Sequence, residues 1–215
     1  MKIDFVSDVS CPWCAIGLEA LLQALERIDG LPPVELHMQP FELNPRMPPE
    51  VQDIAEHLAE KYNMTAEQTA RNSEAIRQRG AALGFEFRME RRRRIYNTFD
   101  AHRLLHWAGL HGRQLELQRR LLKAHFTDGE NPGEHAVLAR LAAEAGLDAK
   151  QAQQVLASGR YADEVRTQQR HYRALGIYAV PAVIVDDRHL IQGGQPVEVF
   201  ERALRQIAAA SRQAA

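Results

Sequence analysis

The chain of 215 residues carries 27 basic and 28 acidic side chains, for a formal net charge of -1, and 45% of its residues are hydrophobic. This near-neutral charge gives no indication of a nucleic-acid partner, and no apolar run approaches the ~20 residues that a membrane-spanning helix needs. The length suits one large domain, or one domain with an insertion, that buries a core of its own.

The N-terminal segment predicts a β-α-β unit. The run KIDFV is rich in strand-forming residues and ends at a polar turn. Over residues 13–28 the apolar side chains recur at spacings of three and four, which is typical of a helix. Residues 34–41 predict a second strand. The only cysteines of the chain, Cys11 and Cys14, stand at the start of the predicted helix.

A long middle block follows, which reads as helical from about residue 51 to residue 175 with no convincing strand. Helices are predicted over residues 51–62, 65–84, 97–112, 115–129, 133–147, 149–159 and 161–176. Thr65 and Gln68 predict a capping box. The basic run at residues 88–96 is interpreted as a solvated loop or helix start, with recruitment of an anionic substrate as the alternative.

Strand patterns return near the C-terminus. Residues 179–187 form an apolar, β-branched run, residues 189–194 predict its partner strand, and Pro196 opens a last helix. The order is therefore β-α-β, a helical block, then β-β-α, which predicts the α/β class.

The motif CPWC at residues 11–14 has three possible roles. A disulfide between Cys11 and Cys14 closes a very short loop and would stabilise the fold little. A structural zinc site needs four ligands, and the remaining candidates, His102 and His106, lie in a different block. The third role is redox chemistry.

The position of the pair favours the redox role. A helix N-terminus stabilises an anion, and Pro12 fits the first helical turn, where its missing N–H costs nothing. We expect Cys11 to be exposed and to attack a disulfide, and Cys14 to be covered and to resolve the mixed disulfide.

The dipeptide Val180-Pro181 precedes the third predicted strand. A trans-proline that simply begins a strand is one interpretation. In the other, the peptide bond is cis, Pro181 faces the cysteines, and the backbone of Val180 is open for pairing with the extended chain of a substrate.

The segments DVSCPWCAIG, FELNP, NTFDAHRLLHWA, GIYAVPAVIV and QGGQPVEVFERAL, in this order, carry a resemblance that spans nearly the whole chain. The sequence resembles the DsbA-like branch of the thioredoxin superfamily and, more narrowly, FrnE-type predicted dithiol–disulfide oxidoreductases. That group is related to 2-hydroxychromene-2-carboxylate isomerase and the kappa-class glutathione transferases. Those enzymes bind glutathione and typically have serine at the position of Cys11.

The resemblance implies a thioredoxin-like fold with a large all-helical insertion. A thioredoxin-like domain would comprise residues 1–42 and 176–215, and the insertion domain residues 43–175. Cys11 would be the nucleophile and Cys14 the resolving thiol. The implied substrate contacts are Pro12, Trp13, Val180, Pro181, Gly193, Gly194 and Gln195.

The function expected from this resemblance is thiol–disulfide exchange with a protein or glutathione disulfide. No metal or other cofactor would be required, although glutathione could serve as redox partner or co-substrate. The alternatives are a glutathione-dependent isomerase or transferase acting on a small aromatic or polyketide-like molecule, and a redox-sensing binding module. We expect a cytoplasmic monomer or homodimer that binds neither nucleic acid nor membrane. Because Trp13 carries no charge, we expect Cys11 to be less acidic than in a relative with CPHC.

Overall fold

The computed structural model describes residues 1–47 and 52–213. Its strands are β1 (Lys2–Ser7), β2 (Glu35–Pro40), β3 (Gln52–Asp53), β4 (Arg94–Ile95), β5 (Ala182–Val185) and β6 (His189–Gln192). Its α-helices are α1 (Pro12–Glu26), α2 (Ile54–Tyr62), α3 (Ala66–Ala82), α4 (Phe99–Gly109), α5 (Gln114–Lys123), α6 (His135–Glu144), α7 (Ala149–Ser158), α8 (Ala162–Ala174) and α9 (Val197–Gln213). The predicted order of β-α-β, helices and β-β-α is confirmed.

The main sheet has the strand order β2-β1-β5-β6. Strand β1 runs parallel to β2 and antiparallel to β5, which pairs antiparallel with β6. Because side chains alternate along a strand, Phe5 and Val183 join the core that contains α1 and α9. Val6 and Ile184 face the other side, where Tyr172 of α8 packs. The sheet is thus covered on both faces.

The middle helices have a hydrophobic core of their own, built mainly from α4, α5, α6 and α7. A side chain of α5 ties this part to the edge of the sheet. Gln114 accepts a hydrogen bond from the backbone N–H of Met38 at 2.8 Å and donates one to its carbonyl at 3.0 Å. The amide side chain therefore satisfies the exposed hydrogen-bonding groups of strand β2 as a neighbouring strand would.

The middle block is not wholly helical, so that expectation was wrong. Strands β3 and β4 form an antiparallel ribbon that pairs Gln52 with Ile95, and two-residue strands leave no alternation for a sequence pattern to reveal. Helix α2 begins at Ile54 because the carboxylate of Asp53 accepts hydrogen bonds from the first free amides. The predicted helix start at Val51 lies outside the described residues.

Two local features of the middle block bear on the site. The capping box of Thr65 and Gln68 is present at the start of α3, as predicted. The helix predicted over residues 115–129 changes to a π-helical turn at Ala124–Asp128, a form that is frequent at functional sites. No described helix combines the length and hydropathy needed to cross a membrane. The boundaries proposed for the two domains stay a prediction.

Candidate active site

The CPWC turn joins β1 to α1 as the sequence predicted. Cys11 occupies the N-cap position with extended backbone angles (φ -94°, ψ 113°), and Pro12 begins the helix. The backbone N–H of Cys11 donates to the carbonyl of Asp8 at 3.1 Å, and that of Cys14 donates to the carbonyl of Cys11 at 3.0 Å. Cys11 is therefore held where the unpaired amides of the helix begin, and Cys14 lies one turn further in.

Both cysteines are free thiols, and both are buried. The expectation of an exposed Cys11 was wrong, because only 4% of the residue is exposed, against 0% for Cys14. The carbonyl oxygen of Val180 lies 3.7 Å from the sulfur of Cys11 and accepts its S–H, which helps to cover it. Cys14 is the more deeply buried of the two. Burial, and then the hydrogen bond with Cys11, raises the pKa of the Cys14 thiol well above its ordinary value.

The segment that contains Pro181 faces the cysteines. The Val180-Pro181 peptide bond is cis, and the carbonyl of Val180 meets Cys11 as described above. The carbonyl of Pro181 accepts a hydrogen bond from the backbone N–H of Gly193 at 2.8 Å. The structure thus brings together the turn, the cis-proline and the loop after β6.

Two glycines permit this close approach. A Cβ on Gly17 of α1 would lie 2.9 Å from Cγ of Pro181, and a Cβ on Gly194 would lie 2.9 Å from the carbonyl oxygen of Trp13. Real Cβ atoms are essentially never found that close to another heavy atom. Gln195, by contrast, uses its side-chain amide within its own loop, donating to the carbonyl of Gln192 at 2.7 Å.

Arg79 of α3 crosses the same place and was not singled out in the sequence. Its Nη2 donates to the carbonyl of Gly194 at 2.7 Å, and its guanidinium lies 5.2 Å from the centre of the Trp13 ring. A cation over an indole face is a favourable contact. The side chain therefore links the middle helices to both the CPWC turn and the glycine loop. Nothing in its helical sequence context distinguishes it from the exposed arginines nearby.

Arg92 corrects the interpretation of the basic run at residues 88–96. Arg91 and Arg93 are exposed, as expected, but Arg92 is buried with 9% of the residue exposed. Its Nη2 donates to the carbonyl of Ser10 at 3.0 Å, and its Nε donates to Nε2 of His125 at 3.2 Å. One arginine of an apparently solvated cluster therefore lies directly behind the turn.

A buried carboxylate, that of Asp8, belongs to the residue whose carbonyl holds the backbone N–H of Cys11. Asp8 accepts hydrogen bonds from the backbone N–H groups of Ser10 at 3.1 Å and Leu43 at 2.7 Å. Nε2 of His102 lies 3.7 Å from its Oδ1. Burial raises the pKa of Asp8, but His102 and the two amides outweigh burial and lower the pKa below its usual value. Asp8 is therefore a carboxylate in the resting site.

His102, in the run 97–108, lies beside the turn through its contact with Asp8. Phe99 instead packs under the guanidinium of Arg166 at 3.7 Å, and Trp107 packs on His111. His106 contacts Tyr161. Among the described residues no group of three or more histidine, cysteine, aspartate or glutamate side chains is arranged to hold a metal ion.

A thiol pair at a helix N-terminus opposite a cis-proline places the chain in the thioredoxin-like class of folds. A family model described as a DSBA-like thioredoxin domain matches residues 2–205. The chain belongs to the DsbA-like thioredoxin family, and the expected thioredoxin-like fold with a helical insertion is confirmed.

Individual relatives agree with this assignment. The chain is similar to the crystal structure of a probable DsbA oxidoreductase, SCO1869 from Streptomyces coelicolor, with 36% identity and a TM-score of 0.90 over 96% of this chain and 89% of that one. An uncharacterized protein of Bacillus subtilis, YwbO, is 29% identical over 95% of this chain and 96% of its own length.

Two further structures share the fold at low identity. The cytosolic disulfide reductase DsbM from Pseudomonas aeruginosa, solved with glutathione, has 17% identity and a TM-score of 0.67 over 96% of this chain and 98% of that one. A 2-hydroxychromene-2-carboxylate isomerase has 13% identity and a TM-score of 0.73, with both chains covered in full. At such identities the likeness concerns the fold alone.

Proposed function

We propose that this protein is a thiol–disulfide oxidoreductase that exchanges the Cys11/Cys14 dithiol with a disulfide of a protein or of glutathione. The observation that carries the proposal is the position of Cys11. Its sulfur stands at the N-cap of α1 and 3.7 Å from the carbonyl of Val180, next to the cis-proline. A helix N-terminus favours the thiolate, which is the nucleophilic form of cysteine.

The proposed reaction has two exchange steps. The Cys11 thiolate attacks one sulfur of the substrate disulfide, forms a mixed disulfide and expels the other substrate sulfur as a thiolate, which takes up a proton. Cys14 then loses its proton and attacks the sulfur of Cys11. This closes the Cys11–Cys14 disulfide and releases the second substrate thiol. The substrate is reduced by two electrons and the dithiol is oxidised by two; the reverse sequence oxidises a substrate dithiol.

The burial of the two sulfurs suits this order of events. Cys14 has no exposed surface, and its raised pKa keeps it protonated in the resting protein. Cys11 retains a little exposure and sits at the helix end. Cys11 is therefore the sulfur that meets the substrate, and Cys14 reacts only once a disulfide has formed beside it.

The substrate would lie over Trp13 and the cis-proline, where Val180 and the loop Gly193–Gln195 would contact it. Arg79, which donates to Gly194 and lies over the Trp13 ring, would add a cation at the edge of this substrate site. A cation there suits the carboxylates of glutathione as well as an acidic peptide. The exchange itself requires no cofactor. The complex of DsbM with glutathione supports glutathione as a candidate partner.

A glutathione-dependent isomerase or transferase is the second candidate. The fold shared with a 2-hydroxychromene-2-carboxylate isomerase supports it. The presence of Cys11, where the resemblance leads us to expect serine in such enzymes, favours redox exchange. From the sequence resemblance we also propose that the protein is of the FrnE type, that it is cytoplasmic and that it is a monomer or homodimer. The similarity to DsbM, which is a cytosolic disulfide reductase, supports the location.

The two candidates are separated by comparing the wild type with Cys11→Ser in insulin reduction and in the refolding of scrambled ribonuclease. Glutathione binding is measured on both proteins by calorimetry. Loss of turnover in Cys11→Ser with binding retained supports exchange. A wild type that binds glutathione tightly but shows no dithiol turnover favours the isomerase or transferase. A protein with neither property would fit a redox-sensing binding module.

A further inference from the structure

Arg92 is a buried cation whose hydrogen bonds place it against the redox turn. The carbonyl of Ser10, the residue directly before Cys11, accepts from Nη2 at 3.0 Å. The second hydrogen bond, from Nε to His125, fixes the plane of the guanidinium. The ring of Phe126 lies under it, with its centre 5.1 Å from Cζ. Three contacts therefore hold this side chain in one orientation, against the backbone of the residue that precedes Cys11.

Among the residues that the structure describes, Arg92 forms no ion pair with a carboxylate. The hydrogen bonds that its guanidinium makes in the described part of the chain go to neutral acceptors, a carbonyl and an imidazole. Burial, and then the charge of Arg92, lowers the pKa of His125 to about 3, so the imidazole is neutral at physiological pH. Its Nδ1 donates to the carbonyl of Glu130 at 3.3 Å, which leaves Nε2 as the acceptor for Arg92.

The acidic groups near Arg92 include the thiol of Cys11. Burial lowers the pKa of Arg92 to about 10, and the groups that oppose this are Cys11 first, then Asp8 and Tyr62. Electrostatic interaction is mutual, so the cation acts on the Cys11 sulfur as strongly as an anionic sulfur acts on the cation. In a buried setting such an interaction is screened less than at the surface.

We propose that Arg92 is a positioning residue that stabilises the thiolate of Cys11, supplying from the middle of the chain the positive charge that Trp13 does not supply within the motif. This inference rests on the function proposed above and adds a residue to its site. Arg92 transfers no proton and forms no bond in the reaction. When Cys11 ionises, its proton goes to water, and the fixed guanidinium favours the anion that remains.

Other groups around the pair set the background for this effect. In the described part of the chain, Asp8 acts electrostatically on Cys14, and Cys11 acts on Tyr62. Arg92 interacts electrostatically with His57 and His125, and Lys61 interacts with Asp8. Asp8 disfavours a second negative charge nearby, while its own charge is stabilised by His102 and two backbone amides. Arg92 adds a buried cation to these groups.

The test measures the thiolate fraction of Cys11 directly. In a Cys14→Ser background Cys11 is the single thiol of the chain, and its alkylation rate by iodoacetamide is followed against pH. The variants are R92Q, which removes the charge, and R92K, which keeps it. R93Q is the matched control, because Arg93 is the exposed neighbour in the same run.

We expect R92Q to move the midpoint of the alkylation profile up by about one pH unit, a ~10-fold lower rate below the midpoint. The plateau at high pH, which reports access to the sulfur, should stay at the wild-type value. R92K should keep most of the wild-type midpoint, and R93Q should keep all of it. The inference is overturned if R92Q and R93Q share one midpoint, or if R92K shifts as far as R92Q.

A second measurement needs no change at Arg92, in case R92Q does not fold. The ¹⁵Nε resonance of Arg92 is followed through the same pH range in the Cys14→Ser protein and in one that also carries Cys11→Ser. We expect the signal to titrate with the alkylation midpoint in the first protein and to stay flat in the second. A flat signal in both overturns the inference. Both readouts are independent of turnover, so a protein without exchange activity would refute the proposed function and leave this result standing.

Discussion

The thioredoxin-like part and the middle helices contribute different things to the same site. The thioredoxin-like part supplies the sulfurs, the cis-proline and the closely packed glycines, whose positions are set by the backbone. The middle helices and their loops supply charged side chains that are distant in the sequence but contact the turn, Arg79 on Trp13 and Arg92 on Ser10. The reaction centre is therefore recognisable from a short motif, whereas its electrostatic environment is assembled from residues far along the chain.

Loss of the resolving thiol should have the largest effect. Cys14→Ser removes the second exchange step, so turnover in insulin reduction should fall to background while the first attack by Cys11 continues. The measurement is mass spectrometry of the protein after reaction with a disulfide substrate, with the expected result a stable mixed disulfide on Cys11. The double variant Cys11→Ser/Cys14→Ser is the control and should form no adduct. An adduct-free Cys14→Ser protein would contradict the assigned order.

The packing of the thioredoxin-like part is tested by Gly17→Ala. The added Cβ would be forced to within 2.9 Å of Pro181 and 3.3 Å of the backbone of Gly194, so α1 must move away from the cis-proline. We expect a loss of about 1–3 kcal/mol in the free energy of unfolding together with reduced turnover, measured by urea denaturation and the insulin assay.

Glu26→Ala is the control for this change. Glu26 is exposed at the end of the same helix α1, and alanine favours the helix. Stability and turnover should stay near wild type. Equal effects of the two substitutions would show that the close approach to the cis-proline does not account for the cost of a side chain at Gly17.

The buried imidazole of the middle part should make stability depend on pH. The pKa of His125 is lowered from 6.5 to about 3, so between these values the unfolded chain binds a proton that the folded chain does not. Above about pH 6.5 His125 is neutral in both states and does not change the stability. As the pH drops from 6.5 towards 3, the free energy of unfolding falls by about 1.4 kcal/mol per pH unit.

Urea denaturation of the wild type and His125→Asn at several pH values below 6.5 checks this dependence. The variant should lose part of the slope, whereas His189→Asn, on the exposed strand β6, should keep it. A slope that is the same in all three proteins would show that His125 is protonated in the folded chain.

The smallest effect is expected for Arg79, at the edge of the proposed substrate site. Arg79→Gln removes the cation above Trp13 and its hydrogen bond to Gly194. We expect KM for glutathione disulfide to rise by about 5-fold, which corresponds to ~1 kcal/mol, with kcat little changed. Arg71→Gln, on the same helix but paired with Glu67 at the surface, is the control. An unchanged KM in Arg79→Gln would place glutathione elsewhere.

The two parts of the molecule also differ in how much of the site could be predicted from the sequence. The sequence left the Val180-Pro181 peptide bond open between cis and trans, and only the structure shows that it is cis. The turn, its helix and the position of Pro181 were predictable because each depends on local patterns: a strand, a C-P-x-C at a helix start and a proline before a β-branched run. The near-complete burial of Cys11 was not, because the carbonyl of Val180 that covers it comes from a segment distant in the sequence.

The charged residues of the site escaped prediction for a different reason. Arg92 stands in a row of four arginines, and its exposed neighbours have the same composition around them. Only the fold, through Ser10, His125 and the π-helical turn, selects one of the four for burial. The two-residue ribbon of β3 and β4 was likewise too short to leave a pattern.

Whether Cys11 and Cys14 form a working dithiol/disulfide pair is tested most directly by redox titration. The protein is equilibrated in glutathione buffers of graded potential, and the tryptophan fluorescence and the mass of the acid-quenched protein are recorded. We expect one two-electron transition that ends in an intramolecular Cys11–Cys14 disulfide. Two thiols that stay free, or that end only as separate glutathione adducts, at every potential would contradict it.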